Sequence, residues 1–396
     1  KVELIVKGGS WNAYPLTYQY WFINECFKAC NANRQQTTES KRQSTDEKKI
    51  KKQLVKEQRK NEQAKHRIVG LTLETRPDMI NDDTLITMRE QGCTRLELGV
   101  QTTDDKILNL VKRGHTIKAT QKANKLARKY GFKVDFHLMP QLPGSTPKKD
   151  LKMLLEIFDN PLYRPDMIKI YPCTVIAGSE LYEWFKKGEY KPYSDKKLLE
   201  ILINFKKQVP RYVRISRLIR DIPSPQVEAG NKTTNLRQII QKEMEKQGYK
   251  CQCLRCREAG HQKIKNENKK IKLFIDKYEC CDGKEYFLSF EDKDRQVVYA
   301  FCRLRTDKHG IYPAFIRELH TYGQLTSFSQ TGEVQHIGLG KKLVAEAEKI
   351  CKKEKVPELA VISGIGVRGY YQKLGFKLKN LTKNELGGYM VKKIKV

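Results

Sequence analysis

No run in this sequence of 396 residues is long and apolar enough to span a bilayer. The opening residues also lack the charged-then-apolar order of a secretory signal. These absences exclude a helical membrane protein, so the expected compartment is the cytoplasm and no membrane partner is expected. Acidic residues are scarce: 46 Asp+Glu face 77 Lys+Arg, a formal net charge of +31. An excess of that size favours a polyanionic partner, because each neutralised phosphate releases condensed counterions. A proteome rich in lysine is the bland alternative. No internal repeat is visible. Hydrophobic residues make up 39% and charged residues 31%, which suits two or three domains that each bury a core.

Cysteine, by contrast, is plentiful, with 11 residues. In a cytoplasmic chain this points to metal or redox chemistry before disulfides. Cys251, Cys253 and Cys256 are spaced to offer zinc three thiolates. Cys280, Cys281, His261 and His320 are options for a fourth ligand, and the sequence leaves the choice open. Lys250, Arg255 and Arg257 would lower the thiol pKa values and favour metal capture. Three reduced surface thiols are the competing reading. No cofactor chemistry surrounds the trio, so it is expected to be a structural clip between two domains.

The first residues, Lys1–Val6, read as a strand that ends at Gly8-Gly9. A core strand so early suggests that something upstream is missing. Residues 34–66 are polar and lysine-rich, and fit a solvated helix, a nucleic-acid-facing arm or a disordered insert. From Ile68 strands and helices alternate: strands at Ile68–Leu73, Arg95–Val100, Lys133–Met139 and Met167–Tyr171, helices at Asp82–Gln91, Thr116–Tyr130 and Lys148–Phe158. That alternation predicts parallel βα units with ligands at the carboxyl ends of the strands.

Pro223-Ser224-Pro225 and Gly230 mark a break, followed by a basic helix, Leu236–Gln247. After Lys263 the pattern becomes an antiparallel meander: Lys270–Tyr278, Glu285–Glu291, Gln296–Leu304 and Ala314–His320. A glycine loop, the helix Leu339–Glu354, the strand Leu359–Ser363 and a short helix near Tyr370 complete it. A glycine loop before a helix is often only a turn. Its amides can also hold a pyrophosphate at the helix N-terminus.

The downstream order decides between these. Gln335-His336-Ile337-Gly338-Leu339-Gly340, the strand at 359–363 and Tyr371-x-x-x-Gly375-Phe376 resemble the GNAT acetyltransferase family. The resemblance implies that acetyl-CoA is held by the backbone of Gln335, His336, Ile337, Gly338, Leu339 and Gly340, with Lys341 adding charge. It places Tyr371, with Tyr370 beside it, near the thioester sulfur. Core packing is the ordinary alternative for such a tyrosine. Glu318 and His320, on the family's fourth strand, are candidates to position water or a base; a strand-end salt bridge is equally open.

Phrases in the first half resemble radical S-adenosylmethionine proteins of the Elongator catalytic type, a family of tRNA uridine acetyltransferases. They are Gly8-Gly9, Ala64–Thr72, Glu74–Asp78, Glu97–Gln101, His137–Pro140, Leu142–Gly144 and Arg220–Pro223. Arg317–His320 belongs with them. The resemblance implies an α/β architecture: a partial (βα) barrel over 1–225 carrying the insert 34–66, a linker with the cysteine cluster over 226–262, and a GNAT domain over 263–396. Gly8, Gly9, Glu74, Arg76 and Gln101 would lie at S-adenosylmethionine, with Lys169 and Tyr171 on the substrate side.

The implied function is acetyl-CoA-dependent carboxymethylation at C5 of the wobble uridine, with tRNA-triggered acetyl-CoA hydrolysis. The anticodon stem-loop would rest on Lys48, Lys49, Lys51, Lys52, Lys56, Arg59 and Lys60. Prokaryotic relatives would need no other Elongator subunits. The four-iron cluster needs three thiolates; Cys26 and Cys30 have no third nearby. The chain as given is therefore expected to lack the cluster and the radical step. The acetyl group and the uridine are expected to meet in one cleft shared by both halves. A protein lysine acetyltransferase and a non-enzymatic RNA-binding scaffold are the alternatives.

Overall fold

The computed structural model describes residues 1–32, 46–220, 222–261, 271–322, 338–383 and 385–395. In the first half lie β1 (Val2–Val6), β2 (Ile68–Thr75), β3 (Arg95–Gln101), β4 (Lys133–Leu138), β5 (Met167–Ile170), β6 (Val175–Ile176), β7 (Arg214–Arg217) and β8 (Val227–Ala229). β1 to β5 and β7 pair in chain order, all parallel, into an open six-stranded half-barrel. β6 and β8 form a separate antiparallel pair.

The crossover helices Asp82–Glu90, Ile117–Lys129, Pro147–Asp159 and Asp195–Gln208 start at side-chain caps, Asn81, Thr116, Thr146 and Ser194 respectively. Each cap satisfies an otherwise orphaned helical N–H. Leu96, Leu98, Val134 and Phe136 are fully buried. Alternation along a strand sends Arg95, Glu97, Asp135 and His137 to the opposite, concave face. The lumen of this half-barrel is thus ionic.

The second half holds β9 (Lys272–Cys280), β10 (Gly283–Glu291), β11 (Val298–Thr306), β12 (Ala314–Thr321), β13 (Glu358–Val361), β14 (Lys377–Lys379) and β15 (Tyr389–Lys393). They form one sheet in the order β14-β15-β13-β12-β11-β10-β9. Among these neighbours β12 and β13 run parallel. One face is covered by the helix Leu339–Lys353 through Leu343, Val344 and Ala347.

The other face packs on the amino ends of the half-barrel strands. Phe287, Phe301, Phe315 and Tyr389 join the barrel's own core in one cluster. A Cβ on Gly364 would sit 2.1 Å from the carbonyl oxygen of Val69, so backbone meets backbone there. At the same join Asp166 and Glu285, both fully buried, take hydrogen bonds from Arg128 and Arg317, and Glu285 takes a further one from Arg305.

Several expectations change. β2 runs on to Thr75, which keeps its register with β3. Residues 47–61 form a helix capped by Asp46, and its inner side is not merely solvated: Ile50 and Leu54 are buried. Gln58 and Asn61 on that side hydrogen-bond the carbonyls of Glu90 and His66. Residues 33–45 lie outside the described residues. The segment 226–261 is not a free linker. Ile240, Met244 and Leu254 are part of the barrel core, and the Leu254 N–H donates to Val213 O at 2.8 Å.

Candidate functional site

Three groups of residues carry the chemistry, and the fold sets them at different places. The first is the mouth of the half-barrel, at the carboxyl ends of its strands. Gly8 and Gly9 follow β1 with φ of 117° and 119°, and nothing lies within 4 Å of where a Cβ would stand. Their amides are open to a ligand that approaches closely. Next to them β2 and β3 end in Glu74, Thr75 and Gln101. Gln101 has φ of 67°, a conformation non-glycine residues seldom hold without reason.

Four buried polar atoms in this region lack a hydrogen-bond partner: Thr75 Oγ1, Gln101 Oε1, Arg113 Nε and His115 Nδ1. Gly99 makes the space, since a Cβ there would lie 3.0 Å from Gln101 Nε2 and 3.1 Å from Arg113 Nη2. Burial pulls the Arg113 pKa down, and the guanidinium of Arg76 adds to that. Orphaned groups at a buried site cost stability unless a ligand completes them. A ribose, an amino group and a carboxylate offer the donors and acceptors that these atoms need. The residues present therefore fit S-adenosylmethionine.

Below the mouth lies an ionic layer. His137 Nε2 is 3.1 Å from Glu97 and its Nδ1 3.5 Å from Glu74. Lys169 also donates to Glu97, and the Tyr171 ring stands edge-on to His137 at 5.4 Å. Burial disfavours the imidazolium, but hydrogen bonds to Glu74 and Glu97 outweigh it and raise the pKa to about 8. Burial likewise opposes the charge of Glu97, yet His137 and Lys169 bring it to about 2. Asp135 is fully buried with neither oxygen bonded; burial, then the charge of Glu97, pushes it up to about 6.

The structure gathers Glu74, Lys169 and Tyr171 around His137 and Glu97, and sets Gln101 above them beside Arg113. Arg76 stands at the rim, paired with Asp78 at 2.5 Å. Glu97 and His137 stood in the phrases that carry the resemblance but were given no role, and Asp135, Arg113 and His115 were missed. The alternation of charge with apolar residues in β3 and β4 was the available signal.

The second group is the wedge where acetyl-CoA is expected. β12 and β13 pair at Phe315↔Ala360 and Ile316↔Val361, and no pair follows toward Thr321. This splay leaves a wedge between the two strands. Gly338 caps the helix Leu339–Lys353 with φ of 93°. The hydroxyl of Tyr370 lies 3.0 Å from where a Cβ on Gly340 would stand, and Thr321 is close by. Gln335, His336 and Ile337 lie outside the described residues. Lys341 is on the exposed side of the helix.

Tyr371 sits in the core, edge-on to Phe376 at 5.8 Å, whereas Tyr370 is 38% exposed. Glu318 and His320 need a correction. A bulge at Arg317 shifts the register of β12, and both side chains face the barrel, with Glu318 accepting from Arg303 at 2.8 Å and His320 stacked on Phe301. Burial opposes the charge of Glu318, but Lys133 and Arg303 bring it to about 2. A carboxylate held so low is a poor base at neutral pH. Glu318 anchors cations at the join.

The shared cleft is also corrected. The acetyltransferase sheet meets the amino ends of the barrel strands, while Gly8 and Gly9 stand at their carboxyl ends. The two candidate sites lie at opposite ends of one parallel sheet.

The third group is the thiol trio. The sulfurs of Cys251, Cys253 and Cys256 lie within 4.8 Å of one another, and buried Lys206 places Nζ 4.0 Å from Cys256 Sγ. S–H donation from Cys251 and Cys256 holds Cys253 well below the usual thiol range. A soft, compact, partly ionised donor set next to an ammonium fits zinc. Cys280, Cys281 and His320 are elsewhere: Cys280 and Cys281 sit at the carbonyls of Tyr163 and Leu162. Just beyond the trio, Arg257 donates to Arg211 O in the barrel half and to Glu291 of β10. Of the expected RNA contacts, Lys48, Lys49, Lys52, Lys56, Arg59 and Lys60 are exposed and Lys51 half-buried. Arg59 pairs with Glu385 and Lys60 with Glu57.

The radical SAM superfamily profile matches residues 42–157 and the Radical_SAM C-terminal domain profile residues 165–246. The tRNA uridine(34) acetyltransferase of Methanocaldococcus infernus is 42% identical over 412 residues, covering 100% of this chain and 72% of that protein. The tRNA uridine(34) acetyltransferase of Dehalococcoides mccartyi is 40% identical, covering 99% and 83%. Elongator complex protein 3 of Homo sapiens is 36% identical, covering 100% and 70%. The solved structure of archaeal Methanocaldococcus infernus Elp3 with an N-terminal deletion superposes with a TM-score of 0.86 at 41% identity, covering 99% of this chain and 90% of that one.

Proposed function

Because the chain belongs to the tRNA uridine(34) acetyltransferase family, which includes Elongator complex protein 3, we propose that it serves acetyl-CoA-dependent carboxymethylation at C5 of the wobble uridine, with these residues binding tRNA and acetyl-CoA and hydrolysing the thioester when tRNA is bound, but not completing the radical step. The observation that carries this reading is the presence of two sites on one continuous core: the orphaned polar atoms at the barrel mouth and the splayed β12–β13 wedge. S-adenosylmethionine bound at the mouth would supply the radical chemistry of the reaction; among the described residues no cysteine trio stands there to hold a four-iron cluster.

This chain's own residues do the rest. Gly8 and Gly9 take the amino-acid end of S-adenosylmethionine on open amides. Thr75, Gln101 and Arg113 complete the polar edges of that ligand. The Gly338–Gly340 backbone receives the pyrophosphate of acetyl-CoA, and a tyrosine hydroxyl of the 370–371 pair donates to the thioester sulfur. Glu97, His137 and Lys169 keep the lumen ionic and fixed, so that groups at the mouth are positioned with little reorganisation. Cys251, Cys253 and Cys256 hold zinc as a structural clip. The lysines of the helix Glu47–Asn61 hold phosphates of the anticodon stem.

The reading is tested by acetate release from acetyl-CoA with and without tRNA. Release stimulated by tRNA, with no acetylation of a lysine-rich protein, is expected. Equal release in both conditions, or acetyl-lysine formation, overturns it in favour of an ordinary acetyltransferase.

A further inference from the structure

The helix Leu16–Asn31 is amphipathic in the unusual sense. It buries Gln19 and Asn24 with Tyr20, Ile23 and Phe27. Tyr18 and Trp21 remain only half-buried, and Tyr14, just ahead of the helix, is 45% exposed. Buried polar groups and clustered exposed rings are the informative departures from ordinary burial.

The rings are ordered. Tyr14 and Tyr18 have centroids 5.1 Å apart, and Tyr18 and Trp21 5.6 Å. Trp11, 6.1 Å from Tyr14, fixes the upper end, because its indole N–H donates to Gln91 at 2.8 Å. The ladder starts immediately after Gly8 and Gly9, at the mouth of the half-barrel. The basic helix Glu47–Asn61 packs alongside, with Lys51 over the Tyr20 ring at 4.6 Å.

An aliphatic patch would suit any apolar partner. A face of tyrosine and tryptophan suits flat bases, and the basic helix packed on the other flank suits the phosphates that carry them. We propose that Tyr14, Tyr18 and Trp21 form a stacking platform for unpaired bases of an RNA loop, which they present to the barrel mouth. This rests on the tRNA reading above and adds to it where the loop, rather than the stem, is held.

The test uses the full chain and two RNAs: a tRNA anticodon stem-loop, and the same stem closed as a blunt duplex. In the variant Tyr14→Ala/Tyr18→Ala, affinity for the stem-loop is expected to fall about ten-fold or more. Affinity for the duplex and the salt slope should not move, because neither ring touches a phosphate. Tyr14→Phe/Tyr18→Phe should bind like the parent. Photo-crosslinking of 5-iodouridine in the loop to the unmodified protein should map to the peptide holding Tyr14, Tyr18 and Trp21, which keeps the test independent of how the alanine variant folds. Unchanged stem-loop affinity, equal losses on both RNAs, crosslinks elsewhere, or a changed oligomeric state in the alanine variant would each overturn the platform. If the parent protein binds neither RNA, the tRNA reading itself fails.

Discussion

Asp166 and Arg317 meet through two parallel hydrogen bonds of 2.7 and 2.8 Å, 151 residues apart in the chain and both wholly buried. One belongs to the half-barrel and the other to β12, so this pair is a fastening between the halves. Arg128 shares the same carboxylate at 3.2 Å. Burial opposes its charge, but the guanidiniums of Arg128 and Arg317 hold Asp166 well below the usual carboxylate range.

Asp166→Asn should therefore leave buried guanidiniums short of a counter-charge. Breaking one partner of such a pair costs about 3–5 kcal/mol. Because the core is continuous, both halves should lose stability in one transition, read by urea unfolding followed through far-UV and tryptophan signals. The pH sign follows from the depressed pKa. The stabilisation is complete above the ordinary carboxylate range and is lost as pH falls through the lower folded value. Two separate transitions in the variant would mean the network is not a fastening.

The His137 layer runs the other way. Its folded pKa of about 8 lies above the unfolded value of about 6.5. The stabilisation is fully present below about 6.5 and lost as pH rises through about 8, amounting to at most about 2 kcal/mol. Asp135, raised to about 6, also loses stability on alkalinisation, over a lower window. Glu97 loses it only as pH falls toward about 2. His137→Gln should flatten the fall in melting temperature between about pH 7 and 9. An unaltered profile would exclude His137 as its source.

Much of this could be read from the sequence because the helices Ile117–Lys129 and Leu339–Lys353 have strong apolar periodicity and clear starts at Thr116 and Gly338. β10 to β12 were legible as alternating or apolar runs. The helix Leu16–Asn31 was not, since Tyr18 and Trp21 stay half-exposed while polar Gln19 and Asn24 lie inside. The helix Asp195–Gln208 and strand β7 were passed over, and Arg214 and Arg217 make β7 look like a loop. The pairing of Asp166 with Arg317 had no local signal, because it depends on how two halves dock.

Zinc analysis checks the thiol trio. The purified protein should carry about one zinc per chain, lost in Cys251→Ser/Cys253→Ser/Cys256→Ser together with stability, since metal binding is coupled to folding. Iron in the same thiols, seen as thiolate-to-iron absorption after anaerobic reconstitution, would reassign them. Their position argues against that: Leu254 is bonded to Val213, just ahead of β7 at its amino end, while a cluster serving S-adenosylmethionine belongs at the mouth.

Gly338 is a double constraint. Its φ of 93° disfavours any L side chain, and an acidic group would repel a pyrophosphate at the helix N-terminus. Gly338→Ala should weaken acetyl-CoA binding moderately through backbone strain. Gly338→Asp should abolish it, with secondary structure kept. Calorimetric titration checks both, and equal affinity in the aspartate variant would place the pyrophosphate elsewhere.

The two tyrosines can be separated by removing one hydroxyl at a time. Tyr371 matches the family's signature position, yet its ring is packed against Phe376 and its pKa is pushed far up by burial. Tyr370 has the hydroxyl beside Gly340 and Thr321, at the open end of the wedge. A donor to the thioester sulfur must reach the cleft, and loss of one such contribution costs roughly 10²-fold in turnover. On this geometry Tyr370→Phe should slow tRNA-stimulated acetyl-CoA hydrolysis by about that factor. Tyr371→Phe should then cost little turnover and mainly alter packing. The reverse result would restore the family position and mean that the wedge rearranges when acetyl-CoA enters. Because the wedge and the barrel mouth lie at opposite ends of the parallel strands, neither variant should change the affinity for S-adenosylmethionine, measured by equilibrium dialysis. If Tyr370→Phe weakens S-adenosylmethionine binding while its melting temperature stays put, the two ends are coupled through the lumen. The ionic layer of Glu97, His137 and Lys169, which stands between them, would then be the place to look for the link.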